Sequence, residues 1–203
     1  MNFGSILIIL LAIIRFESTK HFIENSKNLT NDCKQVLTKL NTRSIISGFC
    51  MAMGFLLVAN FRNSEGVFVQ SSHNIGAVFG FFSTVTDMYF QSRSAHHMCQ
   101  HLVSRVRFVL FWSSLVLAIT YNLLSVVSFG LYSEALLDTE LRLKWNTTQS
   151  GYAFHVTSTV LEWILIFSLS PYFLTFVSQL KKYSLSKRIV IFKDFNDNSI
   201  DPV

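Results

Sequence analysis

The sharpest chemical signal in the chain is a pair at helical spacing. His155 and Glu162 stand two helical turns apart with Thr159 between them on the same face. They lie in the stretch Ala153 to Leu180, where Glu162 is the only acidic residue and His155 the only titratable base. An imidazole and a carboxyl on one apolar face are the parts of a proton relay, a lipid-headgroup site or an acid–base pair. Ionisable groups at membrane depth cost at least about 2.5 kcal/mol on insertion scales, so they should face a bundle interior and find partners there. With no reaction motif in sight, a structural hydrogen bond to another helix is the plainer expectation for this stripe.

Two other groups invite chemistry and point to less. Asp87 lies about one turn from the end of its apolar stretch, within expected reach of Arg93 or Arg107, as an interfacial ion pair rather than an ion site. His96, His97, Cys99 and His101 are metal-ligand types, but their spacing matches no zinc motif and no second cluster completes four ligands. They read as a solvated basic loop, with no metal and no cofactor expected. The chain contains no G-x-S-x-G, H-E-x-x-H, Walker A or dinucleotide fingerprint, so no catalytic residue is assigned.

The elements that must position these residues follow from where charge is absent. Only 14% of the 203 residues are charged, where soluble domains carry about 25%. The charges are segregated, and long stretches hold none. A spanning helix needs about 20 predominantly apolar residues. Spans are predicted at about 3–22, 45–61, 74–90, 108–131 and 153–180, an all-α polytopic transmembrane bundle of five helices. Residues 1–186 form one membrane domain, and 187–203 a cytosolic tail. The net charge of +5 is confined to loops and makes no continuous basic face, which excludes a nucleic-acid partner.

Lysine and arginine orient the bundle, because basic residues near span ends stay in the cytosol. The five hydrophilic groups carry six, one, three, two and five of them, so the first, third and fifth hold 14 of the 17. If residues 1–14 begin a span, those 14 share the cytosolic side, with the amino terminus lumenal or outside and the carboxyl terminus cytosolic. The start of the chain lacks the basic n-region and small-x-small site of a cleaved signal peptide. On this layout the sequon at Asn146 is lumenal and a candidate for N-glycosylation, while the sequon at Asn28 is cytosolic and stays bare. Cys33 and Cys99 are cytosolic and Cys50 lies inside a helix, so no disulfide is expected. Lys181, Lys182, Lys187 and Arg188 directly follow the last span, where each gains about 1 kcal/mol beside anionic lipid.

Small residues should pack the helices, since apolar burial does not drive association in lipid. Gly76 and Gly80 form a G-x-x-x-G step, and Gly48 with Ala52 a second small step. Pro171, near the middle of the last span, should kink it.

Two blocks of residues carry a family resemblance. Ala59-Asn60-Phe61, His73, Gly76-Ala77 and Gln91 form the first. The second runs Trp145-Asn146, Tyr152, Phe154-His155, Glu162-Trp163 and Tyr172 to Phe176. Together they resemble the DRAM (damage-regulated autophagy modulator) branch of the Frag/DRAM/Sfk membrane proteins over roughly residues 44–186. The resemblance implies a pattern of six helices with both ends cytosolic, of which this chain lacks the first helix and the long loop after it. Asn60, His73, Gly76, His155, Glu162 and Trp163 are then signature positions, and Asp87 departs from the pattern. The resemblance further implies a multi-pass protein of lysosomal or other endomembranes that promotes autophagy, sometimes linked to cell death, without a known reaction. The plasma membrane and Golgi are the alternative locations. The alternative function is a lipid-handling protein, in phosphoinositide kinase recruitment or GPI-lipid remodelling, that uses the His155 and Glu162 stripe. Its partners would be the bilayer, anionic lipid and cytosolic regulatory proteins.

Overall fold

The computed structural model describes residues 3–27, 29–61, 66–177, 183–184 and 191–192. Five long helices follow one another: α1 (Phe3–Asn25), α2 (Asn31–Asn60), α3 (Val67–His97), α4 (His101–Leu131) and α7 (Tyr152–Leu174). Two short helices, α5 (Glu134–Leu137) and α6 (Thr139–Leu143), occupy the link between α4 and α7. Tyr183–Ser184 (β1) pairs antiparallel with Ile191–Phe192 (β2). The long helices pack in chain order, α1 on α2, α2 on α3, α3 on α4 and α4 on α7, as short connections dictate.

The ends of the helices are written in local chemistry. The Thr30 hydroxyl accepts the Cys33 N–H at 3.3 Å and caps α2, with Asp32 in the first turn beside the positive end of the helix dipole. Between α3 and α4, Cys99 adopts φ 60°. Its N–H donates to the His96 carbonyl at 3.0 Å and that of Gln100 to the Ala95 carbonyl at 2.9 Å, a Schellman ending usually built on glycine. Asp138 caps α6 by accepting from the N–H groups of Glu140 and Leu141 at 2.8 and 3.3 Å. Gly151, at φ 78°, starts α7 where a side chain would run into the Ser128 carbonyl and the Trp145 ring.

The exterior is apolar and much of the interior is polar, the arrangement lipid demands. Phe68, Leu102, Val126 and Phe167 stand exposed, whereas Arg15, Asp87, Gln91 and Arg107 are buried. The helices α2, α4 and α7 are each long and apolar enough to cross a membrane. In α1 the apolar run meets Arg15, Glu17 and Lys20, and α3 carries Gln70 to Asn74, Thr84 and Asp87. Of these, Gln70, Thr84 and Asp87 of α3, together with Arg15, turn inward. Several helices outrun the predicted spans. The 31 residues of α3 reach about 46 Å at 1.5 Å each, beyond a hydrocarbon layer of about 30 Å.

Close packing centres on glycine, with a change of partners. The Gly76/Gly80 step of α3 meets Gly54 of α2: a Cβ on Gly54 would collide with the Gly80 backbone, and one on Gly76 would lie 2.6 Å from the Leu57 Cβ. Gly48 instead faces α1, where a Cβ would come within 2.8 Å of the Ala12 Cβ. Pro171 falls in the last turn of α7, not mid-helix; the Pro171 carbonyl accepts the Thr175 N–H at 3.3 Å as the helix closes. Of the span expected at 153–180, residues 178–180 lie outside the described residues, as do Asn28, Lys181, Lys182, Lys187 and Arg188.

Candidate functional site

Polar side chains gather at two places, one toward each end of the bundle. At the end bearing the α3–α4 turn, α1, α2, α3 and α7 contribute to one ionic cluster. The Asp87 Oδ2 accepts from the Arg15 guanidinium at 2.7 Å and from the Tyr172 hydroxyl at 2.6 Å. Its Oδ1 accepts from Ser44 at 2.6 Å and from Ser47 at 3.4 Å. Gln91 donates to the Ser44 hydroxyl at 2.7 Å. Asp87 is wholly buried and Arg15 is 4% exposed.

This pairing corrects the sequence expectation. Asp87 binds Arg15, remote in the chain, and not Arg93 or Arg107. The reason is register: Arg15 on α1 faces the same interior as Ser44 and Ser47 on α2, so the carboxylate points across the bundle rather than along its rim. Arg107 is also fully buried, but it donates to the Thr175 hydroxyl at 2.9 Å, the Thr175 carbonyl at 3.3 Å and the Gln91 carbonyl at 3.4 Å. Both guanidiniums sit over the Phe176 ring, Arg107 at 4.0 Å and Arg15 at 4.7 Å from its centroid, as cation–π attraction favours. A legible trace existed in the i, i+4 spacing of Asp87 and Gln91 and the i, i+3 spacing of Ser44 and Ser47, which put polar groups on one face each.

Below this cluster, at the turn itself, His96 touches the rings of His97 and His101 at 5.9 and 5.5 Å between centroids. Cys33 reaches the His97 Nδ1 at 3.9 Å. Burial, with Arg93 and His96 close by, pulls the His97 imidazole below its ordinary value.

At the other end α3, α4 and α7 enclose a polar cavity of about 50 Å³, and His73, His155, Thr159 and Glu162 all line it. The His73 Nδ1 lies 3.1 Å from the Val58 carbonyl and 2.7 Å from that of Phe61. Carbonyls only accept, so Nδ1 carries the proton and Nε2 of the neutral ring is an acceptor. Gln70, 3% exposed, also lines the cavity, and its Nε2 finds no acceptor among the described residues. The Thr159 hydroxyl donates to the His155 carbonyl at 3.0 Å, within its own helix. The His155 ring stacks on Trp145 at 4.8 Å and 15°. Trp145, 7% exposed in the α6–α7 link, donates its indole N–H to the Ser150 carbonyl at 3.1 Å. A groove of about 430 Å³ adjoins the cavity and shares Asn74, Tyr121, Ser125 and Phe129 with it; Val78, Val126 and Gly130 add to its wall.

The remaining sequence-predicted positions stand apart from both assemblies. Asn60 is exposed and donates to the Leu56 carbonyl of its own helix at 2.7 Å. Trp163 is exposed and tilts on Phe167, 6.0 Å between centroids. Gly76 serves the α2–α3 contact. Asn146 is exposed, and its Oδ1 accepts from the Thr148 N–H and hydroxyl at 3.0 and 2.6 Å.

Apolar outside, ionic and hydrogen-bonded inside, and built of antiparallel helices, the molecule is an all-α integral membrane protein. The chain matches the Frag1/DRAM/Sfk1/Cwh43P N-terminal domain family over residues 1–183 and belongs to that family. It is 27% identical over 190 residues to DNA damage-regulated autophagy modulator protein 2 of Rattus norvegicus and 27% over 191 residues to that of Homo sapiens, covering 91% of this chain in each case. It is also 27% identical over 177 residues to DNA damage-regulated autophagy modulator protein 1 of Xenopus laevis, 87% of this chain and 70% of that relative. The matched part spans 66% of the length of the rat and human relatives. No solved structure matches the chain.

Proposed function

We propose that this protein is a non-enzymatic modulator of autophagy, held in lysosomal or other endomembranes as a multi-pass scaffold. The observation that carries the reading is its similarity to proteins named as autophagy modulators over about nine-tenths of its own length. The Arg15–Asp87 cluster agrees with a scaffold role, because all four donors to the Asp87 carboxylate come from the chain's own helices. Residues 1–186 act as one membrane domain that crosses five times, with the tail 187–203 and the basic turns in the cytosol. There Lys181, Lys182, Lys187 and Arg188 meet anionic lipid, and the loops meet regulatory proteins.

The reading is tested by deleting the gene and measuring lysosome-dependent turnover of a long-lived cytosolic reporter, with and without re-expression. Turnover falls on deletion and recovers with the restored protein, which co-localises with a lysosomal marker; unchanged turnover contradicts the reading. Tags at Met1 and Val203 fall on opposite sides of sealed vesicles in a protease-protection assay, and tags on the same side refute the five crossings. Asn146→Gln abolishes any endoglycosidase-sensitive mobility shift. The lipid-handling alternative depends on what enters the cavity lined by His73, His155 and Glu162.

A further inference from the structure

The cavity at the α3–α4–α7 end is small, polar and incompletely satisfied, and it opens beside an apolar groove. A void of about 50 Å³ has room for a few water-sized groups, since about 10 to 15 Å³ suffices for one water. Its hydrogen-bonding inventory is two-sided. The Gln70 Nε2 is a buried donor with no acceptor among the described residues, and with Nδ1 donating toward two carbonyls it is Nε2 that is left to accept in a neutral His73 ring. A group that both accepts and donates satisfies the two together, and a hydroxyl does so in the volume available. A carbonyl only accepts and an ammonium only donates. Formal charge is balanced at the rim, with Arg142 and Glu162 one of each sign, so nothing selects an ionic head. The groove that shares Tyr121, Ser125 and Phe129 with the cavity continues from this point along the outer surface of α3 and α4, where an apolar body lies against Val78 and Val126.

We infer that the cavity seats the hydroxyl head of a neutral membrane lipid, a sterol or a diacylglycerol, with the lipid's apolar body in the adjoining groove. The inference rests on the lipid-handling reading of this end of the molecule and not on the autophagy reading, so either can fail alone. An unpaired buried donor is costly, and the incoming hydroxyl removes that penalty while its apolar part stays in lipid.

The test is photolabelling of the full chain in phosphatidylcholine vesicles with three diazirine lipids: a sterol, a diacylglycerol and a phosphatidylcholine. Sterol or diacylglycerol, or both, labels residues of α3 and α4 around Val78 and Val126, and an excess of the same unlabelled lipid competes the label away. The arm that labels identifies the source. Gln70→Met keeps the volume but deletes the donor and lowers labelling about fivefold, the loss expected for one neutral hydrogen bond. Ser125→Phe, which fills the junction of groove and cavity, removes the label and carries the test if Gln70→Met folds poorly. Labelling by neither hydroxyl lipid above the phosphatidylcholine level, or labelling that both variants leave unchanged in folded protein, overturns the inference. Autophagic turnover measured with the same variants reports on the other reading separately.

Discussion

The two ends of the bundle treat buried polarity in opposite ways. Around Asp87, four hydroxyl and guanidinium donors converge on one carboxylate, drawn from α1, α2 and α7, although the Arg15 Nε finds no acceptor among the described residues. Around Glu162, the same kinds of side chain leave a void, an unpaired amide donor and a lateral opening. A buried carboxylate held by four donors specifies one arrangement, whereas a buried amide donor beside a void can be satisfied by an incoming group. On the proposal above, the first end is architecture and the second binds lipid.

The comparison breaks most visibly at Asp87. Asp87→Ala strands Arg15 in the interior and should lower stability by about 3 to 5 kcal/mol, the range for a buried pair that loses one partner; thermal unfolding in detergent and the yield of folded protein measure it. If the variant unfolds with the wild type, the cluster is not structural. Next comes Gly54→Val, whose side chain meets the Gly80 backbone and should cost about 1 to 3 kcal/mol through overpacking, read in the same assay. Cys99→Gly acts in the other direction. The left-handed backbone at position 99 strains a residue with a Cβ, and its relief should stabilise by about 1 kcal/mol, seen as a raised midpoint. Glu162→Gln is the smallest. Lining an open cavity and only half-buried, it should move the midpoint by about 0.5 kcal/mol or less. A loss as large as that at Asp87 would make both ends structural and dissolve the contrast.

Much of this is legible in the sequence. The all-α membrane fold followed from the segregation of charge, and the stripe of His155, Thr159 and Glu162 from helical periodicity; in the structure those three residues meet His73 at one cavity. Periodicity says which residues share a face and is silent on which face of another helix lies opposite. That is why Asp87 was expected beside Arg93 or Arg107, and why Arg15, 72 positions away, was not foreseen as its partner. Gly54 escaped for a related reason. A lone glycine in α2 forms no small-x-x-x-small step with Gly48 or Ala52, and its role exists only against Gly76 and Gly80. Gln70 carries no signal at all in sequence, since its importance lies in a donor left without an acceptor.

The most direct test of the ionic zipper is a double-mutant cycle on Arg15→Met and Asp87→Leu, read as unfolding midpoints of the full chain in detergent. Each single variant should be strongly destabilised, and the double variant should recover much of the loss, with a coupling energy toward the upper part of the roughly 0.5 to 3 kcal/mol range seen between contacting residues. Additive losses, with the double variant less stable than either single one, would contradict the account.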